Sequence, residues 1–410
     1  MQQSNSTQLV FCLGTAQTIA FASSYYLPAI LAEPMAQTIG ISTTTVFIAF
    51  SLALIVSAIP GPLAGRLIDR FGGRPILMLS SLMFALGLVV LGFAYNTVTL
   101  FAGWVLIGLA MGTGLYEAAF ATLVRLHGQE ARPSISGITL LAGFASTLGW
   151  PLSTWMQAHW GWQGACWGWA AMHLGLSLPL YALLPKPSGP PPATSATALA
   201  AQLDQEVTAT ELPQNNGAPA RVAIVLSITF TVIWFSVTAM AVHLPRLLES
   251  TGLSLQAAVG IAALVGPAQV LARFLEFGFL RRIHPLVQAK ISSLAHPLGG
   301  LALLMLGGPA AALFAVLHGA GAGILTIIKG TLPLVLFGSQ GYGARQGLIM
   351  MPARVGQAFA PFVFSMLMAK FGTHALWFTV VPSFAVVVML GLLGSAPGAK
   401  PVLTRENGQG

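Results

Sequence analysis

Twelve apolar stretches, each close to the roughly 20 residues that a helix needs to cross a bilayer, recur along this chain, and charge is almost absent between their ends. They fall at 8-31, 43-64, 75-94, 98-124, 134-157, 163-184, 222-246, 257-280, 288-307, 309-336, 346-369 and 375-394. Only 7% of the 410 residues are charged and 55% are hydrophobic, too few charges to clothe a water-facing surface. The reading is an all-α membrane protein. With no basic stretch before it and too much apolar length for a cleaved signal peptide, the first run is expected to be a membrane span.

The net charge of +8 would suit a nucleic-acid binder, but the basic residues are placed as a topology signal instead. Arg66, Arg70, Arg74, Arg125, Arg132, Lys186, Arg221, Arg281, Arg282, Lys290, Arg345, Lys400 and Arg405 fall on one side of the twelve spans, with Arg246 and Lys370 on the other. That bias predicts both termini in the cytoplasm and a multi-pass protein of the cell inner membrane. Cys12 and Cys166 are distant and intramembrane, so neither a disulfide nor a metal site is expected, and no cofactor motif occurs. The six tryptophans from Trp150 to Trp169 read as an interfacial belt at the outer surface.

The spans divide six and six. Residues 1-184 form one expected half and 221-396 the other; 185-220, rich in proline and then polar, reads as a cytoplasmic linker with a short helix around Ala198 to Val207. A cytoplasmic tail follows at 397-410. The halves echo one another: Tyr26-Leu27-Pro28 with His243-Leu244-Pro245, Gly61-Pro62 with Gly266-Pro267, and Gly108, Gly112 and Gly161 with Gly319, Gly323 and Gly372. This is the pattern of a duplicated six-helix unit related by an axis along the membrane normal.

Between the second and third spans lies Gly65-Arg66-Leu67-Ile68-Asp69-Arg70-Phe71-Gly72-Gly73-Arg74. Gly65 permits close helix approach, Asp69 can accept hydrogen bonds from the N-terminal amides of a neighbouring helix, and Gly72 and Gly73 allow a tight turn. The pattern G-x-x-x-D-R-x-G-x-R resembles the signature loop of the major facilitator superfamily, secondary transporters with two six-helix halves. That resemblance implies the superfamily's fold, an alternating-access mechanism, a monomer, and a gating role for Gly65, Asp69, Arg70, Gly72 and Arg74. The second half carries a degenerate version, Ala272-Arg273-Phe274-Leu275-Glu276 followed by Arg281-Arg282.

Ionised groups inside the hydrocarbon are costly and therefore candidates for function. Glu117, Arg273, Lys329 and Arg354 lie eight or nine residues from the cytoplasmic ends of four different spans, about 12 to 14 Å deep. In the superfamily that the chain resembles, spans 1, 4, 7 and 10 line the pathway, with 2, 5, 8 and 11 beside them. All four charges are then expected to share one cavity, with Gln17, Tyr116, Gln269 and Gln357 completing the substrate-binding wall. Gln269, Arg273 and Glu276 share a helix face, as do Arg354 and Gln357. The excess of cations suits an organic anion gripped by the two arginines, with Glu117 and Glu276 as proton carriers. The span 8 arginine is similar to one in monocarboxylate-type members.

The expected function is thus proton-coupled transport of a small carboxylate. The alternatives are drug or metabolite efflux by proton antiport, and a non-transporting membrane sensor. The span 5 antiporter signature of efflux members is not matched, since Gly149-Trp150-Pro151-Leu152 interrupts it. No hydrolase, zinc-protease or nucleotide-binding motif supports an enzyme.

Overall fold

The structure is a computed structural model that describes residues 2–185 and 220–393. The expected linker and its short helix, the tail at 397-410, and Lys186, Lys400 and Arg405 fall outside these residues, Pro185 and Ala220 apart. Every element among the described residues is helical. By length and composition seven stretches can cross a membrane, or eight when Thr43–Ala58 and Pro60–Phe71, bent by 42°, count as one. Two of the seven, Thr97–Ala182 and Tyr342–Leu393, have 86 and 52 residues, well beyond one crossing of about 20. Glycines at positive φ interrupt both: Gly128 and Gly161 in the first, Gly372 in the second.

Several spans are broken where proline or glycine makes an unbroken helix costly. The first, expected to be continuous, is α1 (Gln2–Ala22) followed after a turn by α2 (Pro28–Ile39), which opens on a proline that has no amide to leave unpaired. The second is α3 (Thr43–Ala58) and α4 (Pro60–Phe71), kinked at Pro60. The signature segment, expected to be a ten-residue loop, is mostly the last turns of α4. Only Gly72, at φ +83, leaves helical geometry before α5 (Gly73–Gly92) begins. Gly73 is already helical, and a Cβ there would collide with Thr122.

The fourth expected span is likewise two pieces. Helix α6 (Thr97–Gly114) ends at an extended Leu115, and α7 (Tyr116–His127) starts anew with Glu117 in its first turn. Beyond lie α8 (Arg132–Ala142), α9 (Ala145–Met172), a π-helical turn at His173–Ser177 and α10 (Leu178–Ala182). Gly161, at φ +71, bends α9 where spans five and six were expected to part. The second half comprises α11 (Ala220–Glu249), α12 (Leu255–Ala262), α13 (Val265–Gly278), α14 (Pro285–Leu306), α15 (Ala311–Phe337), α16 (Tyr342–Phe371) and α17 (Trp377–Leu393).

The repeat reappears as packing. Gly108 and Gly112 of α6 lie against the backbone of Ala53 and Ser57 in α3, while Gly319 and Gly323 of α15 lie against Val265 and Gln269 at the start of α13. Absence of a side chain lets each pair of backbones approach closely. Gly161 and Gly372 both adopt positive φ, +71 and +56. The expected pairing of Gly61-Pro62 with Gly266-Pro267 is seen in the helix starts, each pair standing second and third in the helix that follows a break, at Pro60 and at Val265.

Each half holds two apolar clusters, one toward the signature segment and one toward the opposite side. Large apolar side chains such as Phe11, Ile59, Leu63 and Phe93 cover the outside, a surface that suits lipid. The tryptophan belt is only partly superficial. Trp150, Trp155, Trp160 and Trp167 are exposed, but Trp162 and Trp169 are buried, their indoles donating to Thr38 and Ser153 because a buried N–H needs an acceptor. Cys12 and Cys166 are buried free thiols.

Candidate functional site

At the seam between the apolar clusters, three of the four intramembrane charges meet. Glu117 receives two cations: Lys329 Nζ donates to Oε1 at 3.1 Å and Arg354 Nη2 to Oε2 at 2.6 Å. Glu117 comes from α7, Lys329 from α15 and Arg354 from α16, so the cluster joins the two halves. All are 6 to 9% exposed, which turns them away from lipid. The break at Leu115 gives Glu117 a place in the first turn of a helix, where the amide dipoles favour a carboxylate.

The remaining contacts fix the cations. Arg354 Nη1 donates to Ser57 Oγ at 2.8 Å, where α3 approaches its kink. The Lys329 ammonium stands 5.1 Å from the ring centroid of Tyr116 and 4.7 Å from that of Trp234, one aromatic from each half. Gln346 donates to the Lys329 carbonyl and Tyr342 to that of Gly330, holding α16 on α15. Gln17 donates to the Gly114 carbonyl at 2.6 Å, at the break in span 4.

Arg273 sits apart from Glu117. Its guanidinium donates to Gly323 O and Thr326 Oγ1, each at 3.4 Å, and a Cβ on Gly143 would meet its Nη1. The arginine thus fills space that a glycine of the first half leaves open. Thr326 is one turn before Lys329, so the two cations share a face of α15. Gln269 is half-buried against Gly323, and Gln357 donates to Thr238 Oγ1 at 3.3 Å, which lies 3.4 Å from the Tyr25 hydroxyl.

Glu276 belongs elsewhere. It is fully buried, with Arg132 Nη2 of α8 at 3.8 Å, and Arg132 also donates to Ile283 O at 2.8 Å. Neither carboxylate oxygen has a hydrogen bond among the described residues. Its partner comes from the other half rather than from Arg273 on its own helix.

The signature segment forms a second junction. Asp69 accepts from the amides of Gly343 and Ala344 at 2.9 and 3.0 Å, capping α16, whose own N-cap Gly341 has no side chain to do so. Gly65 lies against the Gly343 backbone so closely that a Cβ would not fit. Arg125 Nε donates to the Asp69 carbonyl at 3.1 Å. Arg70 lies over Phe71, and Arg74 is half-buried at the start of α5. These contacts close the loop side.

His318 and His296 face each other, Nδ1 to Nδ1, at 2.8 Å, and His243 Nε2 is 2.8 Å from Pro361 O. Ser57, Trp234, Tyr342, Gln346 and Arg132 had not been singled out by sequence. Trp234 had one usable signal, its place four residues before Thr238 on a pathway-lining span.

The family model described as Major Facilitator Superfamily matches residues 13–314. A gallate transporter of Pseudomonas putida is 25% identical over 299 residues, 68% of this chain and 66% of that protein. Monocarboxylate transporter 11 of Mus musculus is 34% identical over 158 residues, 37% of this chain and 34% of its own. Each match spans less than two thirds of the relative's length. The solved proton:xylose symporter bound to 6-bromo-6-deoxy-D-glucose superposes with a TM-score of 0.72 over 96% of both chains at 16% identity, a likeness of fold.

Proposed function

This chain belongs to the Major Facilitator Superfamily, a family of transporters and not of enzymes, and we propose that it carries a small carboxylate across the cytoplasmic membrane by alternating access, coupled to protons. The observation that carries the reading is charge. Lys329, Arg354 and Arg273 are buried where the halves meet, and Glu117 alone among the described carboxylates engages any of them. The centre has a net charge of +2, which attracts an anion and repels a lipophilic cation.

An incoming carboxylate competes with Glu117 for Lys329 and Arg354. Arginine's planar fork grips such a group in bidentate fashion, and Arg273, held only by neutral acceptors, adds a second fork. Displaced, Glu117 is a buried charge without a partner, and it relieves that cost by taking a proton. Substrate and proton are then bound together, as coupling requires. The two relatives are named for gallate and monocarboxylates, both carboxylates, which supports the same class.

In this reading twelve spans form two six-helix halves, residues 1-184 and 221-396, with the 185-220 linker and both termini cytoplasmic. The Asp69 and Gly65 junction closes the inner side and parts when the halves tilt. Uptake of a radiolabelled carboxylate panel and of lipophilic cations into proteoliposomes under an imposed proton gradient tests it. Acid outside stimulates carboxylates; stimulation of cations alone overturns the proposal.

A further inference from the structure

The ammonium of Lys329 is not held by its ion pair alone. It stands between two aromatic faces, Tyr116 from the first half and Trp234 from the second. Behind Tyr116 the wall continues flat and apolar: Phe120 stacks on it at 5.3 Å with 14° between the planes, and Phe21 lies at 4.5 Å. Most polar groups along this wall are already engaged, Gln17 Nε2 by Gly114, Ser57 by Arg354, and Thr326 by Arg273 and its own helix. Among the described residues, buried polar atoms are left over here, Gln346 Oε1 beside the Lys329 backbone and two nearer the rings. The Trp234 indole N–H has no acceptor, and Gln17 Oε1 has no donor.

A ligand rich in hydroxyls would strand them on such a wall, each at a desolvation cost that nothing repays. A planar, apolar body strands nothing, because its faces stack on rings that are already there. Resting on the carboxylate reading of this site, we infer that the substrate is an aromatic carboxylate and that Trp234 is the residue that selects it. The carboxylate takes Arg354 and draws the Lys329 ammonium out from between the Tyr116 and Trp234 faces, the ring takes the place it leaves, and the free indole N–H donates to an oxygen of the ligand. One wall belongs to each half, so a bound ring bridges the parts that must move together in alternating access.

The test compares Michaelis constants for radiolabelled benzoate and radiolabelled pyruvate in proteoliposomes of the wild type, Trp234→Phe and Trp234→Leu. Both acids carry a carboxylate, and only one has a ring. The wild type is expected to favour benzoate by about tenfold or more, Trp234→Phe to keep most of that preference by retaining a ring, and Trp234→Leu to lose it. Melting in detergent confirms that each variant is folded. A wild type that does not distinguish the two acids, or a Trp234→Leu variant in which both constants rise together at an unchanged ratio, overturns the inference and makes Trp234 a shelf for Lys329. Failure of the folded wild type to take up either acid removes the carboxylate reading itself, and the aromatic inference with it.

Discussion

At the signature segment the halves meet through backbone, Gly65 against Gly343 and the Asp69 carboxylate on the amides of Gly343 and Ala344. Eleven residues further along the same helix α16, about 16 Å by the helical rise, they meet through ionised side chains at Arg354. The first junction replaces a missing helix cap, and water can supply that service when the halves separate. The second cannot open so cheaply, since pulling Arg354 and Lys329 from Glu117 leaves three buried charges unpaired. An anion changes that balance by giving the cations a new partner. On the proposed mechanism the signature-segment contact sets the resting state, and the charged contact at Glu117 makes its release conditional on substrate.

The variant that should break the charged junction most severely is Glu117→Gln. It leaves two buried cations facing a neutral amide, a loss of about 3–5 kcal/mol, so uptake is expected to vanish and the melting temperature in detergent to drop. A variant that melts and transports like the wild type would show that the cluster is incidental.

A smaller effect is expected at the signature-segment junction. Asp69→Asn keeps the shape of the cap and removes its charge, which costs about 1 kcal/mol, or roughly fivefold in the closed population. With Cys12 and Cys166 replaced, thiol labelling of an Ala344→Cys reporter should rise by that factor. Labelling that does not move would mean that backbone packing at Gly65 and Gly343 closes this side without the cap.

Glu276→Gln should do least. Its contact with Arg132 is long, at 3.8 Å, and neither buried carboxylate oxygen accepts a hydrogen bond among the described residues, so a neutral amide of the same shape gives up little. Uptake and its proton dependence should survive. If proton stimulation disappears instead, Glu276 is the carrier of the proton and Glu117 a structural partner.

Much of this was visible before any coordinates. Apolar runs and scarce charge fix a helical membrane protein, Gly65 and Asp69 announce a close helix contact and a cap, and four charges at one depth announce a polar interior. The repeat was legible through Gly108, Gly112, Gly319 and Gly323, because close backbone contact tolerates no larger residue and so leaves a mark in composition.

What stayed hidden depends on rotation. Successive residues on a helix point about 100° apart, so depth predicts which charges share a level and says little about which of them face one another. Arg273 was placed beside Glu117 by depth and turned instead into the gap at Gly143. Glu276 was placed with the proton carriers and found Arg132. Ser57 carries no charge and stands in no motif, so nothing local marked it, and Trp234 was marked only by its spacing from Thr238.

The sequence by itself determined the solvent of this protein, its helical class, its duplicated halves and the short roster of groups too costly to bury without purpose, because each follows from composition, spacing or a residue's own conformational limits. Only the tertiary structure decided that Glu117 stands at a helix start between Lys329 and Arg354, that Trp234 and Tyr116 flank the lysine, and that Asp69 caps a helix from the other half. Those are contacts between residues far apart in the chain, and their geometry is set by how whole helices rotate and pack.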